Sequence, residues 1–230
     1  AGIRDCDVCL VGSEMCIRDR TTTVGSAEFP ADLDLRSVVA PEDEILPLVQ
    51  ALADCERLAF ACPHSRGDRL AGLPPTMIAA LHEDTARLVT LVKADGARMR
   101  WLKAAKPGEP VLPPGTETVL AVTSARAFGE PLTDRVAHRL DRVLAVTGAA
   151  ENDAVTPELV AGLYTRPGGL LDGLDVPRII PVINMVDDEA RLGPARAAAT
   201  AILESTTQIP RVILAAMKRA DEPVVEVIEG

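Results

Sequence analysis

The apolar positions of this chain fall into short runs that switch between two periods, and the switching sets the expected fold. Residues 57–62 (RLAFAC), 87–92 (RLVTLV), 118–123 (TVLAVT) and 178–183 (RIIPVI) are aliphatic or β-branched runs of strand length. Residues 211–216 and 224–228 repeat the pattern near the C-terminus. Between these runs the spacing turns helical. Residues 41–54 (PEDEILPLVQALAD) begin with acids and continue with apolar residues three and four apart, despite Pro47. Residues 75–84 open on a proline, which suits the first turn of a helix. Residues 139–146, 156–165 and 187–205 are further expected helices, with Thr147-Gly148 as a turn and Thr156-Pro157-Glu158 as an N-cap followed by Pro.

Strands alternating with helices predict an α/β fold, a mainly parallel sheet flanked by helices. Two stretches interrupt the rhythm. Residues 66–74 form a Gly-containing connection, and residues 98–115 carry four prolines and read as an irregular crossing segment. A chain of 230 residues can bury a good core, so the expectation is one α/β domain over residues 21–230, with a small lobe around 124–175. No internal repeat or low-complexity tract is present, and the alanines of residues 195–201 belong to the last helix.

Residues 1–20 stand apart. Leu10 to Asp19 read LVGSEMCIRD, which back-translates to a sequencing-library transposon adapter read in frame, with Arg20 fitting the next codon. This segment is expected to be non-native and disordered, and is set aside from fold reasoning. The rival reading of Cys6, Cys9 and Cys16 as a metal or redox site lacks a second ligand pair. Cys55 and Cys62 are expected as reduced core thiols.

Composition narrows the function. A formal charge of −10 and an isoelectric point near 4.8 oppose a nucleic-acid backbone as partner. Trp101, Tyr164 and three phenylalanines are scattered, so they build no base-stacking platform. No apolar run has the length of a membrane span and no signal-peptide pattern opens the chain, so the expected location is cytoplasmic with no membrane partner.

The richest stretch chemically is residues 89–113, VTLVKADGARMRWLKAAKPGEPVLP. An aliphatic strand runs into Asp95-Gly96, followed by Arg98, Arg100, Lys103 and Lys106. A carboxylate at the carboxyl end of a strand, with a Gly freeing the turn, can face a Mg²⁺-phosphate ligand, and the cations behind it can hold anionic oxygens. Asp-Gly also serves as a plain turn, and the cations as a solvated loop. At the end of the 178–183 run, Asn184-Met185-Val186-Asp187 differs only at Met185 from N-K-x-D, a guanine-reading motif, while acids at a helix start give the simpler account of Asp187. His138-Arg139 can form an anion-facing turn, or be structural. No GxSxG, HExxH or paired Cys/His set supports hydrolase or zinc chemistry.

These motifs together resemble those of YqeC-type proteins, regarded as accessory factors for selenium-dependent molybdenum hydroxylases. That family's mark is E-A-D-G-[AS]-[RK]-x-x-x-[LP]-K-x-P followed by E-P-V-[IL]-P. The match here is Ala94-Asp95-Gly96-Ala97-Arg98, then Leu102-Lys103, then Glu109-Pro110-Val111-Leu112-Pro113, with Lys93 where the family has Glu. Val136 to Arg139 resembles its V-H-R element, and Thr21-Thr22-Thr23 resembles a threonine tract closing its second strand. The resemblance implies a P-loop NTPase-like fold, with Asp95 as catalytic and Mg²⁺-facing residue. It implies GTP or ATP as cofactor, held by Thr21, Thr22, Thr23, Gly96, Arg98, Lys103, His138, Arg139, Asn184 and Asp187. Its implied partner is a molybdenum hydroxylase or its cofactor-assembly machinery. None of the four lysines follows a glycine, so the chain has no G-K-[ST]. The first βα unit is therefore expected to be missing, with NTPase activity confined to a longer form. Two rival functions stay open: a P-loop GTPase-like metallochaperone or nucleotide-driven enzyme, and a non-hydrolysing binding module or scaffold. Asp95, Asn184 and the threonine tract are expected to meet at one sheet rim.

Overall fold

The computed structural model describes residues 18–29, 35–52, 57–85, 89–219 and 221–230. The chain divides into two compact units. One holds the described residues up to Gly96 together with 108–116, and the other holds 97–107 and 117–230.

The first unit contains β1 (Arg18–Thr22), β2 (Ser26–Ala27), β3 (Arg36–Val39), α1 (Glu42–Gln50), β4 (Arg57–Pro63), β5 (Arg69–Ala71), α2 (Pro75–Asp84) and β6 (Val89–Lys93). Strands β3, β4, β1 and β6 lie side by side in parallel, and β2 and β5 extend the far end of β4 antiparallel. From β3 to β4 to β6 the chain crosses the sheet in one direction. Right-handed crossovers then place α1 and α2 on the same face. Ile45, Val49, Ile78 and Leu81 of these helices bury against Val38, Leu58, Phe60 and Cys62. Burial pushes the Cys62 thiol pKa up, and the Glu42 charge adds to the rise. Pro75 occupies the first turn of α2, where its missing N–H has no intrahelical role.

The second unit contains β7 (Leu102–Lys103), β8 (Thr118–Ser124), a 3₁₀ turn (Ala125–Ala127), β9 (Ala137–His138), α3 (Leu140–Thr147), α4 (Pro157–Thr165), β10 (Arg178–Asn184), α5 (Glu189–Ser205), β11 (Arg211–Ala215) and β12 (Val224–Glu229). Its main sheet has the order β12-β11-β10-β8, with β12 antiparallel and the others parallel, and β7 pairs with β9 alone. Ala195, Ala198, Ala199 and Ile202 form the buried stripe of α5 at helical spacing. Thr156 caps α4 by accepting the amide of Leu159. Gly148 closes α3 at a φ of 72°, where a side chain would be strained. The buried Tyr164 hydroxyl reaches the carbonyls of Ala121 and Val182, at 2.9 and 3.3 Å, and contacts the Thr123 hydroxyl.

The fold is α/β, as the alternation predicts, but the sheets are mixed and there is more than one. The run at 87–92, whose aliphatic pattern predicts a central strand, is among the described residues the edge strand β6, and all five residues of β6 are half-buried. Its apolar residues suit either position, and only pairing decides between them. Within the 66–74 connection lies β5, and within the 98–115 crossing lies β7. Short strands of two or three residues carry no readable period. The segment 1–17 lies outside the described residues. Arg18 to Arg20, expected as the disordered end of the adapter-like segment, instead belong to β1, paired on both sides by β4 and β6.

Candidate functional site

The first unit places its candidate chemistry at the carboxyl ends of β1 and β6. These strands are adjacent and parallel, with Thr22 level with Lys93, so the threonine tract and Ala94-Asp95-Gly96 leave the sheet side by side. Ligands of open α/β sheets collect at such ends. The Thr21 hydroxyl donates to the Phe60 carbonyl at 2.8 Å. That of Thr22 reaches the carbonyls of Val24 and Lys93 at 2.6 and 3.1 Å. The Thr23 hydroxyl donates to the Val111 carbonyl at 2.8 Å, and its amide to the Lys93 carbonyl at 3.1 Å. A hydroxyl has one proton, so each of these donors is spent on a backbone carbonyl, and Thr21 and Thr22 are themselves buried.

The Val111 amide donates in turn to the Ala94 carbonyl at 3.1 Å. Thus the two halves of the sequence motif, A-D-G and E-P-V-L-P, fold back on one another beside Thr23. Asp95 is half-buried, and its Oδ1 accepts the Gly96 amide at 2.7 Å. Lys93 sends its Nζ to the Ser26 hydroxyl at 3.1 Å, so this position ties β6 to β2. Gly72 passes so near Thr23 that an added Cβ would lie 2.2 Å from the Thr23 carbonyl carbon.

In the second unit the two-residue ladder of β7 and β9 sets Lys103 level with His138. Lys103, expected to hold an anion from a loop, is buried at 6% exposure. Arg139 donates from Nη1 to the Ala104 carbonyl at 3.1 Å, and Arg142 donates from Nε to the Ala105 carbonyl at 2.8 Å. The Arg142 contact was not expected from sequence. Arg142 lies in the first turn of α3, whereas Arg139 is its left-handed N-cap, so helical spacing alone does not align the two. Arg98 is exposed, and the turn it opens is closed by the Arg100 amide on the Ala97 carbonyl at 2.9 Å.

The end of β10 carries the other motif. Asn184 is buried, and its Oδ1 accepts the Met217 amide at 3.1 Å. The Met185 sulfur accepts the Ser124 hydroxyl at 3.2 Å. Asp187 lies just outside α5, whose N-cap is Asp188, and its carboxylate meets Arg191 at 3.3 Å. Only Oδ2 of Asp187 is engaged in that ion pair. Four of the five non-glycine residues with positive φ among the described residues fall in these motifs: Arg98 (49°), Met99 (66°), Arg139 (60°) and Met185 (64°). Such conformations cost energy and tend to mark functional segments.

The threonine tract therefore comes level with Lys93, just before Asp95 and Gly96, Lys103 is paired with His138 beside Arg139, and Asn184 ends β10 three residues before Asp187. The single rim expected to gather Asp95 and Asn184 is absent, because β6 and β10 belong to different sheets. Among the described residues, no group of three or more His, Cys, Asp or Glu side chains is placed to hold a metal ion, and no helix is long and apolar enough to cross a membrane.

The protein is α/β, with its motif-bearing turns at the ends of strands β1, β6 and β10. The family model described as "YqeC protein" matches residues 18–141, just over half of the chain. The chain belongs to the YqeC family. No curated protein matches it, and no solved structure does.

Proposed function

We propose that this protein is an accessory factor in the maturation of selenium-dependent molybdenum hydroxylases, and that it works through a Mg²⁺-nucleotide held at Asp95. The observation that carries the nucleotide reading is the half-buried Asp95 carboxylate at the carboxyl end of β6, beside the end of β1. Mg²⁺ is held through one or two carboxylates plus phosphate oxygens and water, so one aspartate suits a metal that arrives with its nucleotide. Bound there, the ion would neutralise phosphate charge, and Gly96 would leave room for the phosphates beside the strand end. A P-loop NTPase-like arrangement further requires a glycine-rich loop with its lysine, which this sequence does not contain. The family membership supports the accessory role.

The test uses the full-length protein in cells that make such a hydroxylase. Deletion should lower the selenium content and activity of the hydroxylase, and Asp95→Ala should reproduce that loss and abolish Mg²⁺-dependent nucleotide binding with the fold intact. Normal hydroxylase selenium in the deletion strain would overturn the role. Unchanged Mg²⁺-nucleotide affinity in Asp95→Ala would overturn the site.

A second reading, a binding module or scaffold without hydrolysis, is favoured by one observation. Asn184, Met185 and Asp187 each make contacts within the fold at the positions where a nucleotide base would be read. Retention of the accessory role in Asp95→Ala would select it.

A further inference from the structure

A cavity of about 380 Å³ opens between the β2–β5 pair and the ends of β3 and β4. We propose that it is a binding site for a small monoanionic carboxylate carrying a planar apolar body. The site is separate from the Asp95 turn. Two strand spacings divide the ends of β4 and β6, about 10 Å along the rim.

Its donors are Arg69, His64 and Ser37. The His64 Nδ1 accepts the Arg66 amide at 3.0 Å, so the neutral ring carries its proton on Nε2 and is a donor there. Among the described residues, the side chains of Arg69 and Ser37 make no hydrogen bond or ion pair. A guanidinium, an N–H and a hydroxyl lining one cavity form a carboxylate-binding set. The apolar wall comes from Phe29, Leu70 and Val39. Val38 points into the core beneath α1 and α2, so strand alternation puts Ser37 and Val39 together on the opposite face. Val39 is 48% exposed there, an apolar surface that a ligand ring would cover.

Charge selects among anions. Glu28 also lines the cavity, so its charge offsets that of Arg69. A monoanion can engage Arg69 at modest cost from Glu28, whereas the second charge of a phosphate monoester meets added repulsion. The volume lies at the small end of ligand pockets, about 300–1,000 Å³, and suits a single-ring acid.

The test titrates the full chain with benzoate, acetate, phenyl phosphate and inorganic phosphate, by calorimetry and by amide chemical shifts. Benzoate should bind saturably, with shifts centred on Ser37, Val39, Arg69 and Leu70. Acetate, which lacks the ring, should bind more weakly, and so should both phosphates. Arg69→Gln should weaken benzoate about tenfold or more with an unchanged far-ultraviolet spectrum, and Ser37→Ala should weaken it by a smaller factor. Glu28→Gln should narrow the gap between benzoate and phenyl phosphate. The proposal is overturned by an absence of saturable benzoate binding, by shifts centred elsewhere, by equal affinity in Arg69→Gln, or by tighter binding of either phosphate. None of these readouts depends on nucleotide binding at Asp95.

Discussion

The hydroxyl of Thr23 donates to the carbonyl of Val111 at 2.8 Å, joining residues 88 positions apart in the chain. This bond, with the Val111 amide on the Ala94 carbonyl, closes the turn after β6 against the end of β1. The rim around Asp95 is therefore built from three separate stretches of sequence, and each can be perturbed alone.

Thr23→Val keeps the shape and removes the donor. A net loss of about 1 kcal/mol is expected, read as a lower urea midpoint at unchanged slope. Thr23→Ser should recover most of it. Equal midpoints for the threonine and valine forms would show that the bond contributes nothing.

Gly72→Ala should destabilise the first unit by about 1–3 kcal/mol, because the new Cβ meets the Thr23 backbone at 2.2–2.4 Å. Gly67→Ala is the control. Nothing lies within 4 Å of its Cβ position, so thermal unfolding should be almost unmoved.

Tyr164 is the sole tyrosine, and burial raises the pKa of its phenol well above the ordinary value, opposed in part by its bonding to Thr123. The unfolded chain then releases this proton at lower pH than the folded one. Stability contributed by the neutral phenol is complete below the unfolded pKa of about 10 and falls as pH rises beyond it, by about 1.4 kcal/mol per pH unit. Phenolate absorbance should appear only as the protein unfolds. In Tyr164→Phe the alkaline slope should flatten. Phenolate formation in the folded state at pH 10 would contradict this account.

Asn184→Ala should cost about 1–3 kcal/mol, since the buried Met217 amide loses its acceptor. Asn184→Asp retains an oxygen there and, compared at a pH low enough to keep its buried carboxyl protonated, should cost less. If the two variants unfold at the same midpoint, the asparagine does not act through Met217.

Residues 18–230 alone should hydrolyse neither GTP nor ATP above the blank in a phosphate-release assay. No glycine-rich loop with a G-K-[ST] lysine is present to cradle the phosphates. Robust turnover that survives Asp95→Ala would place the chemistry elsewhere.

Local patterning determined most of the regular elements. The periods of 57–62, 118–123 and 178–183 gave β4, β8 and β10, and helical spacing with proline and threonine caps gave α2 and α4. These signals rest on neighbours a few residues apart, which any chain with that spacing shares. The Asp95-Gly96 turn and its partner segment were legible for the same reason, as consecutive residues of one motif. What only the tertiary structure decided was pairing. The edge position of β6, the division of strands among separate sheets, and the burial of Lys103 all depend on residues far along the chain. So do the bonds of Thr21, Thr23 and Asn184 to Phe60, Val111 and Met217. A threonine or an asparagine reads alike whether its partner is a ligand or a distant backbone group, and only the folded chain brings that group within hydrogen-bonding distance.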